Sequence, residues 1–200
     1  MFLKFRVSLL THTCYRIGRI AEGLLLSISE TVDIVEPMAK FTDSLRGKEG
    51  VGVIFNVGLE DWDIDGHVAD ESMKYDLIWN QWCLGHLTDA QLEEYLKKCS
   101  RALNSRGWII VKENLSTSDR DIFDDLDNSV TRYSSLGCIK CSSCMNSANM
   151  RNRLDEKFRE IFQKAGLQIR KTELQKGMKG LYPSMGLYPV RTYALQPLAL

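Results

Sequence analysis

Tyr75-Asp-Leu-Ile-Trp-Asn-Gln-Trp-Cys-Leu-Gly-His-Leu-Thr-Asp89, with the residues that follow it, decides the fold. Tyr75 to Trp79 is short, apolar and strand-like. Thr88-Asp89-Ala90-Gln91 has the capping-box form, in which Thr88 and Gln91 satisfy each other's exposed amides. Leu92, Tyr95, Leu96, Cys99 and Leu103 then fall at i, i+3, i+4, i+7 and i+11, the stripe of a helix with one buried face. Lys97, Lys98 and Arg101 suit the negative end of its dipole. Gly107 closes the turn, and Trp108 to Val111 reads as the next strand.

The same rhythm extends in both directions. Ile17 to Ile28 predicts a helix, with Ile17, Ile20, Leu24 and Ile28 near helical spacing. Thr31 to Val35 is a β-branched strand that stops at Glu36-Pro37, and Val51 to Val57 is a second strand closed by Gly58. Phe158, Ile161, Phe162 and Ala165 mark a helix stopped by Gly166, and Leu167–Ile169 and Thr192–Leu195 are late strands. Strands alternating with helices predict an α/β fold, a mostly parallel sheet covered on both faces. Ligands of such sheets bind at the carboxyl ends of the strands, near the topological switch.

Composition narrows the function. Lys+Arg and Asp+Glu both number 26 in 200 residues, a balance that argues against a nucleic-acid or anionic-membrane binder. No apolar run approaches the 18 or so residues of a membrane-spanning helix. Residues 1–21 hold Lys4, Arg6, Arg16 and Arg19 but no acid. That start is open to two readings, an organelle presequence or a short apolar strand at a replaced beginning. Cys14, Cys83 and Cys99 sit in apolar surroundings, the habit of buried free thiols. Cys138, Cys141 and Cys144 form a C-x2-C-x2-C cluster without a fourth ligand nearby, so no residue is assigned to a metal.

The residues after each strand carry the chemistry. Glu36 ends its strand eighteen residues after Gly18, a place where an acid accepts hydrogen bonds from a ribose. Leu59 beside Glu60 is an apolar–acid pair able to cup an adenine. Gln81, Trp82 and His86 are polar or aromatic where a pure core needs none. Asp119, Asp121, Asp124, Asp125 and Asp127 fall within nine residues. An EF-hand would need glycine and glutamate where Asp124 and Val130 stand, so the acids point to a cationic substrate rather than to calcium.

These strand-end stretches, together with Ile110-Val-Lys-Glu-Asn114, Asp124-Asp-Leu-Asp-Asn-Ser-Val-Thr-Arg132 and Leu187-Tyr-Pro-Val-Arg-Thr-Tyr-Ala-Leu195, resemble the protein α-N-terminal methyltransferases that act on X-Pro-Lys N-termini. The resemblance implies a class I, Rossmann-like methyltransferase fold that binds S-adenosyl-L-methionine. By position it implies cofactor contacts from Gly18, Arg19, Glu36, Leu59, Glu60 and Gln81. It implies substrate contacts from Trp82, Asn114, Asp124 and Ser129, with Asp127 and His86 assisting proton removal. The implied partners are the N-terminal segments of substrate proteins, ribosomal proteins among them, and neither nucleic acid nor membrane. Cytoplasm or nucleus is the expected compartment, with mitochondrial targeting by the acid-free start as the lesser reading.

The chain departs from the family pattern in three places. Cys14 and Arg16 occupy glycine places in the loop before Gly18-Arg19, where side chains crowd a backbone that should approach the cofactor. Residues 1–16 are expected to be a divergent segment, with an incomplete or replaced N-terminal strand and lid, and 17–200 the methyltransferase domain. An insertion is expected at 133–153. Two rival readings follow: a degenerate binding module without catalysis, or a class I methyltransferase for another amine or small molecule.

Overall fold

The computed structural model of the chain describes residues 6–11, 17–69, 73–116, 121–125, 128–132, 155–175 and 188–198. Their centre is a seven-stranded sheet in the order β3-β2-β1-β4-β5-β9-β8. The strands are β1 (Arg6–Thr11), β2 (Thr31–Val35), β3 (Val51–Phe55), β4 (Tyr75–Gln81), β5 (Leu103–Asn114), β8 (Leu167–Leu174) and β9 (Val190–Pro197). Two short strands, β6 (Ile122–Asp124) and β7 (Ser129–Thr131), form a separate antiparallel hairpin. Within the sheet β9 runs antiparallel to both β5 and β8, and every other pairing is parallel. The order reverses between β1 and β4, which places the switch point at their carboxyl ends.

The start of the chain takes the strand form that its apolar residues allow. Residues 6–11, within the segment read as divergent, form β1, the central strand, paired with both β2 and β4. Val7 is fully buried there, against a face it shares with Val32, Ile34 and Leu77. Cys14, Arg16, the Cys138/Cys141/Cys144 cluster and the expected insertion at 133–153 lie outside the described residues.

Two apolar layers hold the sheet. On one face lie α4 (Ile64–His67), α5 (Asp89–Arg101) and α6 (Glu156–Lys164). The α5 capping box forms as the sequence predicts, and Leu92, Tyr95, Leu96 and Cys99 are buried. Phe158, Ile161 and Phe162 of α6 join Ile78, Ile109, Val111 and Leu195 in the same core, each fully buried side chain of this size contributing about 2 kcal/mol. Gly166 ends α6 at a φ of +73°, a left-handed stop that costs glycine nothing.

On the other face the run α1 (Ile17–Ile20), a π turn (Ala21–Leu25) and α2 (Leu26–Ile28), with α3 (Ala39–Thr42) beside it, lies over β1 and β2. Ile20 and Leu24 pack half-buried against this core beside the fully buried Ala21 and Leu25. Ile28, past the π turn, is 50% exposed, because the extra residue in such a turn rotates the helix beyond it. Over β5, β9 and β8 the same face carries none of the described helices. Lys112, Lys171, Glu173, Thr192 and Ala194 line a shallow cavity of about 370 Å³ there. None of the described helices is long and apolar enough to cross a membrane.

Candidate active site

The carboxyl ends of β2 and β4 frame the first half of the site. Glu36 is fully buried, one oxygen accepting the Met38 amide at 2.9 Å and the other lacking any partner among the described residues. Burial pushes its carboxyl above the ordinary value, against the lowering effect of the Met38 amide. A buried, unpaired carboxylate oxygen is costly, and a ligand diol that donates to it would remove that cost. Leu59 is buried and Glu60 exposed, beyond the end of β3. Gln81 closes β4, 3% exposed, its Oε1 accepting the Trp79 indole N–H at 3.2 Å. Gly18 lies in α1 and Arg19 is exposed beside it. Lys112, at the end of β5, has its ammonium pKa lowered by burial and by the charge of Arg19.

The second half is a turn. Trp82 has a φ of +52°, a left-handed conformation that costs a bulky side chain about 1–3 kcal/mol and gathers at functional sites. Its amide donates to the Lys112 carbonyl at 3.1 Å, and Lys112 Nζ stands 5.7 Å from its ring centroid. The indole N–H is buried without a partner among the described residues. A short 3-10 turn, Leu84–His86, brings His86 around to the same side.

Trp82, His86, Asn114 and Ser129 meet around a cavity of about 120 Å³, together with Gly85, Glu113 and Phe158. Ser129 is paired with Asp124 across the β6–β7 hairpin, so the acidic segment stands beside this cavity. A Cβ on Gly85 would lie 3.1 Å from the Val130 carbonyl, which is why the hairpin can close so near the turn. Four of the sequence-predicted residues therefore share one space, and Asp124 is next to it. Glu36, Leu59, Glu60 and Gln81 belong to neighbouring strand ends, and Gly18 and Arg19 to α1. Asp127 lies outside the described residues.

Two residues of this site received no role in the sequence reading. Glu113 is nearly buried and accepts the amides of Cys83 at 2.9 Å and Leu84 at 3.0 Å. Burial pushes its carboxyl up to about 7, against the amides of Leu84, Cys83 and Asn114 and the charge of Arg132. Its period-two register with Ile109 and Val111 was the signal that could have found it, because that spacing turns an acid toward the core. Arg132 is 1% exposed and donates to the Leu84 carbonyl at 2.8 Å and to the Leu87 carbonyl. Nothing local marks it. The thiols of Cys83 and Cys99 are buried, the latter pushed up to about 12, which makes both poor nucleophiles.

With the geometry in place, comparison with known proteins is direct. Residues 4–137 match the sequence profile of a family described as AdoMet dependent proline di-methyltransferase. The chain belongs to this family. It is 38% identical over 183 residues to alpha N-terminal protein methyltransferase 1 of Schizosaccharomyces pombe, covering 90% of this chain and 68% of that protein. It is 40% identical over 121 residues to N-terminal Xaa-Pro-Lys N-methyltransferase 1 of Xenopus tropicalis, covering 58% of this chain and 51% of that one. A solved SAM-dependent methyltransferase of Leishmania major superposes with a TM-score of 0.70 at 28% identity, over 96% of this chain and 65% of that structure. The chain thus spans about half the length of the Xenopus relative. The class I methyltransferase fold expected from the sequence is the fold observed, and the family's cofactor is S-adenosylmethionine. The unpaired oxygen of Glu36, buried at the end of β2, fits the ribose of that cofactor.

Proposed function

We propose that this chain methylates the α-amino group of protein N-termini of X-Pro-Lys type. The observation that carries the reading is the convergence of Trp82, His86, Asn114 and Ser129 on one small cavity beside the hairpin of Asp124. Glu36 would hold the cofactor ribose, Leu59 and Glu60 the adenine side, Gly18 and Arg19 the methionine end, and Gln81 the edge facing the substrate. When bound, S-adenosylmethionine supplies a methyl group on a sulfonium, ready for in-line displacement.

What this chain must do is present a neutral amine in line, since most of the rate comes from placement. A free α-amino group has a pKa of about 8, so modest help from His86 and Asp127 removes its proton. Asp124 attracts the cationic end of the peptide and the Lys at its third position. Trp82 packs against the Pro ring, which restricts the pose and lowers the ordering cost. Asn114 and Ser129 orient the peptide backbone. Substrates of this kind, ribosomal proteins among them, place the activity in the cytoplasm or nucleus.

The test is incubation with an X-Pro-Lys peptide and labelled S-adenosylmethionine, with a Cys14→Gly/Arg16→Gly variant run in parallel. Methyl transfer to the peptide α-amine is expected. Failure of both proteins to incorporate label sinks the proposal.

A further inference from the structure

The backbone of the turn after β4 is held by two buried polar side chains, those of Glu113 and Arg132. Trp82 is left-handed at a φ of +52°, and Cys83 follows at φ −127° and ψ −23°. Passage through the left-handed region turns successive amides toward one point and makes a concavity suited to an anion. Oε1 of Glu113 fills it, accepting from both Cys83 and Leu84. Arg132 takes the carbonyls of the same turn, at Leu84 and Leu87. Its Nε also donates to Asp89 at 2.9 Å. Asp89 pairs with Lys157 at 2.9 Å, and Lys157 reaches Asp121 at 2.7 Å, two residues ahead of Phe123 in the hairpin. β5 and the end of the hairpin therefore grip the segment that carries Trp82 and His86 directly, and α5 and α6 brace Arg132 through Asp89 and Lys157.

We propose that Glu113 and Arg132 are positioning residues, which together hold the left-handed Trp82 and the Cys83–Leu87 turn so that the indole and His86 line the substrate cavity in a single pose. The kinetic part of this inference rests on the methyltransferase reading above; the geometric part does not. Neither residue needs to touch substrate to act in this way. A pair that served the fold alone would, when altered, lower stability and leave the kinetic constants of the folded protein unchanged.

Glu113→Gln keeps the shape and one acceptor oxygen, and Arg132→Lys keeps the charge without the two-pronged grip. Each is purified folded, and kcat and KM are measured with an X-Pro-Lys peptide, alongside calorimetric binding of S-adenosylmethionine and amide hydrogen exchange. Either variant is expected to lower kcat/KM for the peptide roughly tenfold to hundredfold, the scale of a small misplacement at a reacting centre. Cofactor affinity is expected to change less than about twofold, because the cofactor side makes no use of the turn. The double variant should be little worse than the worse single one, since both act on one element. In Glu113→Gln the amides of Cys83 and Leu84 should exchange about tenfold faster or more, while Leu96 and Cys99 stay protected. Glu113→Asp, whose carboxylate is one methylene short of the amides, is expected to show the same losses if the Gln variant does not fold. Unchanged kinetic constants with a lower melting temperature, or unchanged exchange at Cys83 and Leu84, overturn the inference. If the unaltered protein does not methylate the peptide, the functional reading fails instead, and the exchange measurement still decides the clamp.

Discussion

At the end of β2, Glu36 is buried with one oxygen taken by the Met38 amide and the other without a partner among the described residues. At the end of β4, the amides of Cys83 and Leu84 and the carbonyls of Leu84 and Leu87 are all taken up by Glu113 and Arg132. The β2 end thus leaves a buried acceptor open. The β4 end uses its own buried Glu113 and Arg132 to shape a turn whose half-buried Trp82 and His86 line the small cavity, with the Trp82 indole N–H left over among the described residues.

That contrast can be broken at several points. The largest effect is expected at His86 on the substrate side. His86→Ala should lower kcat on an X-Pro-Lys peptide about 100-fold to 1,000-fold, the usual yield of a proton acceptor, with cofactor binding unchanged by calorimetry. A variant as active as the parent would remove His86 from the chemistry.

Next comes the pH dependence of stability. Folded Glu113 holds its proton up to about pH 7, against an ordinary value of 4.5. Between these values the native state binds more protons than the unfolded one, so stability falls as pH rises through the window and levels off above it. The contribution amounts to about 3 kcal/mol at most. Denaturation curves of the parent should lose stability relative to Glu113→Gln from pH 4.5 to about 7; parallel curves would contradict this.

On the cofactor side, Glu36→Gln removes a buried charge while keeping an acceptor for the Met38 amide. Affinity for S-adenosylmethionine should fall about tenfold or more, while the melting temperature stays level or rises. Loss of both would mean that Glu36 serves the fold as much as the ligand. The smallest effect belongs outside either half. Lys164 and Glu160 form an exposed i, i+4 pair on α6, and Lys164→Ala should leave the melting temperature nearly unchanged, because solvent screens such a pair.

How much of this was readable in advance depends on distance along the chain. The α5 cap and stripe are local, and they formed as predicted because Thr88 and Gln91 need only each other. Glu36, Gln81, Trp82 and Asn114 could be placed at strand ends in advance because a strand end is a local feature, and the sheet rule singles such ends out for ligands. Strand lengths were less legible. Trp108–Val111 grew into the twelve residues of Leu103–Asn114 because β4 and β9 pair along both of its edges. The exposure of Ile28 was not legible either, because a π turn leaves no mark in the spacing.

By itself the sequence determined the α/β rhythm, the strand-end residues and the family, since each follows from periodicity, caps and motifs within a few residues. Only the tertiary structure decided that Arg6–Thr11 is the central strand, a role conferred by two parallel neighbours far along the chain. It also decided that Glu113 and Arg132 meet at one turn. Hydrogen bonds spanning 29 to 48 residues join groups that no local pattern relates, and burial makes those bonds strong enough to shape the site.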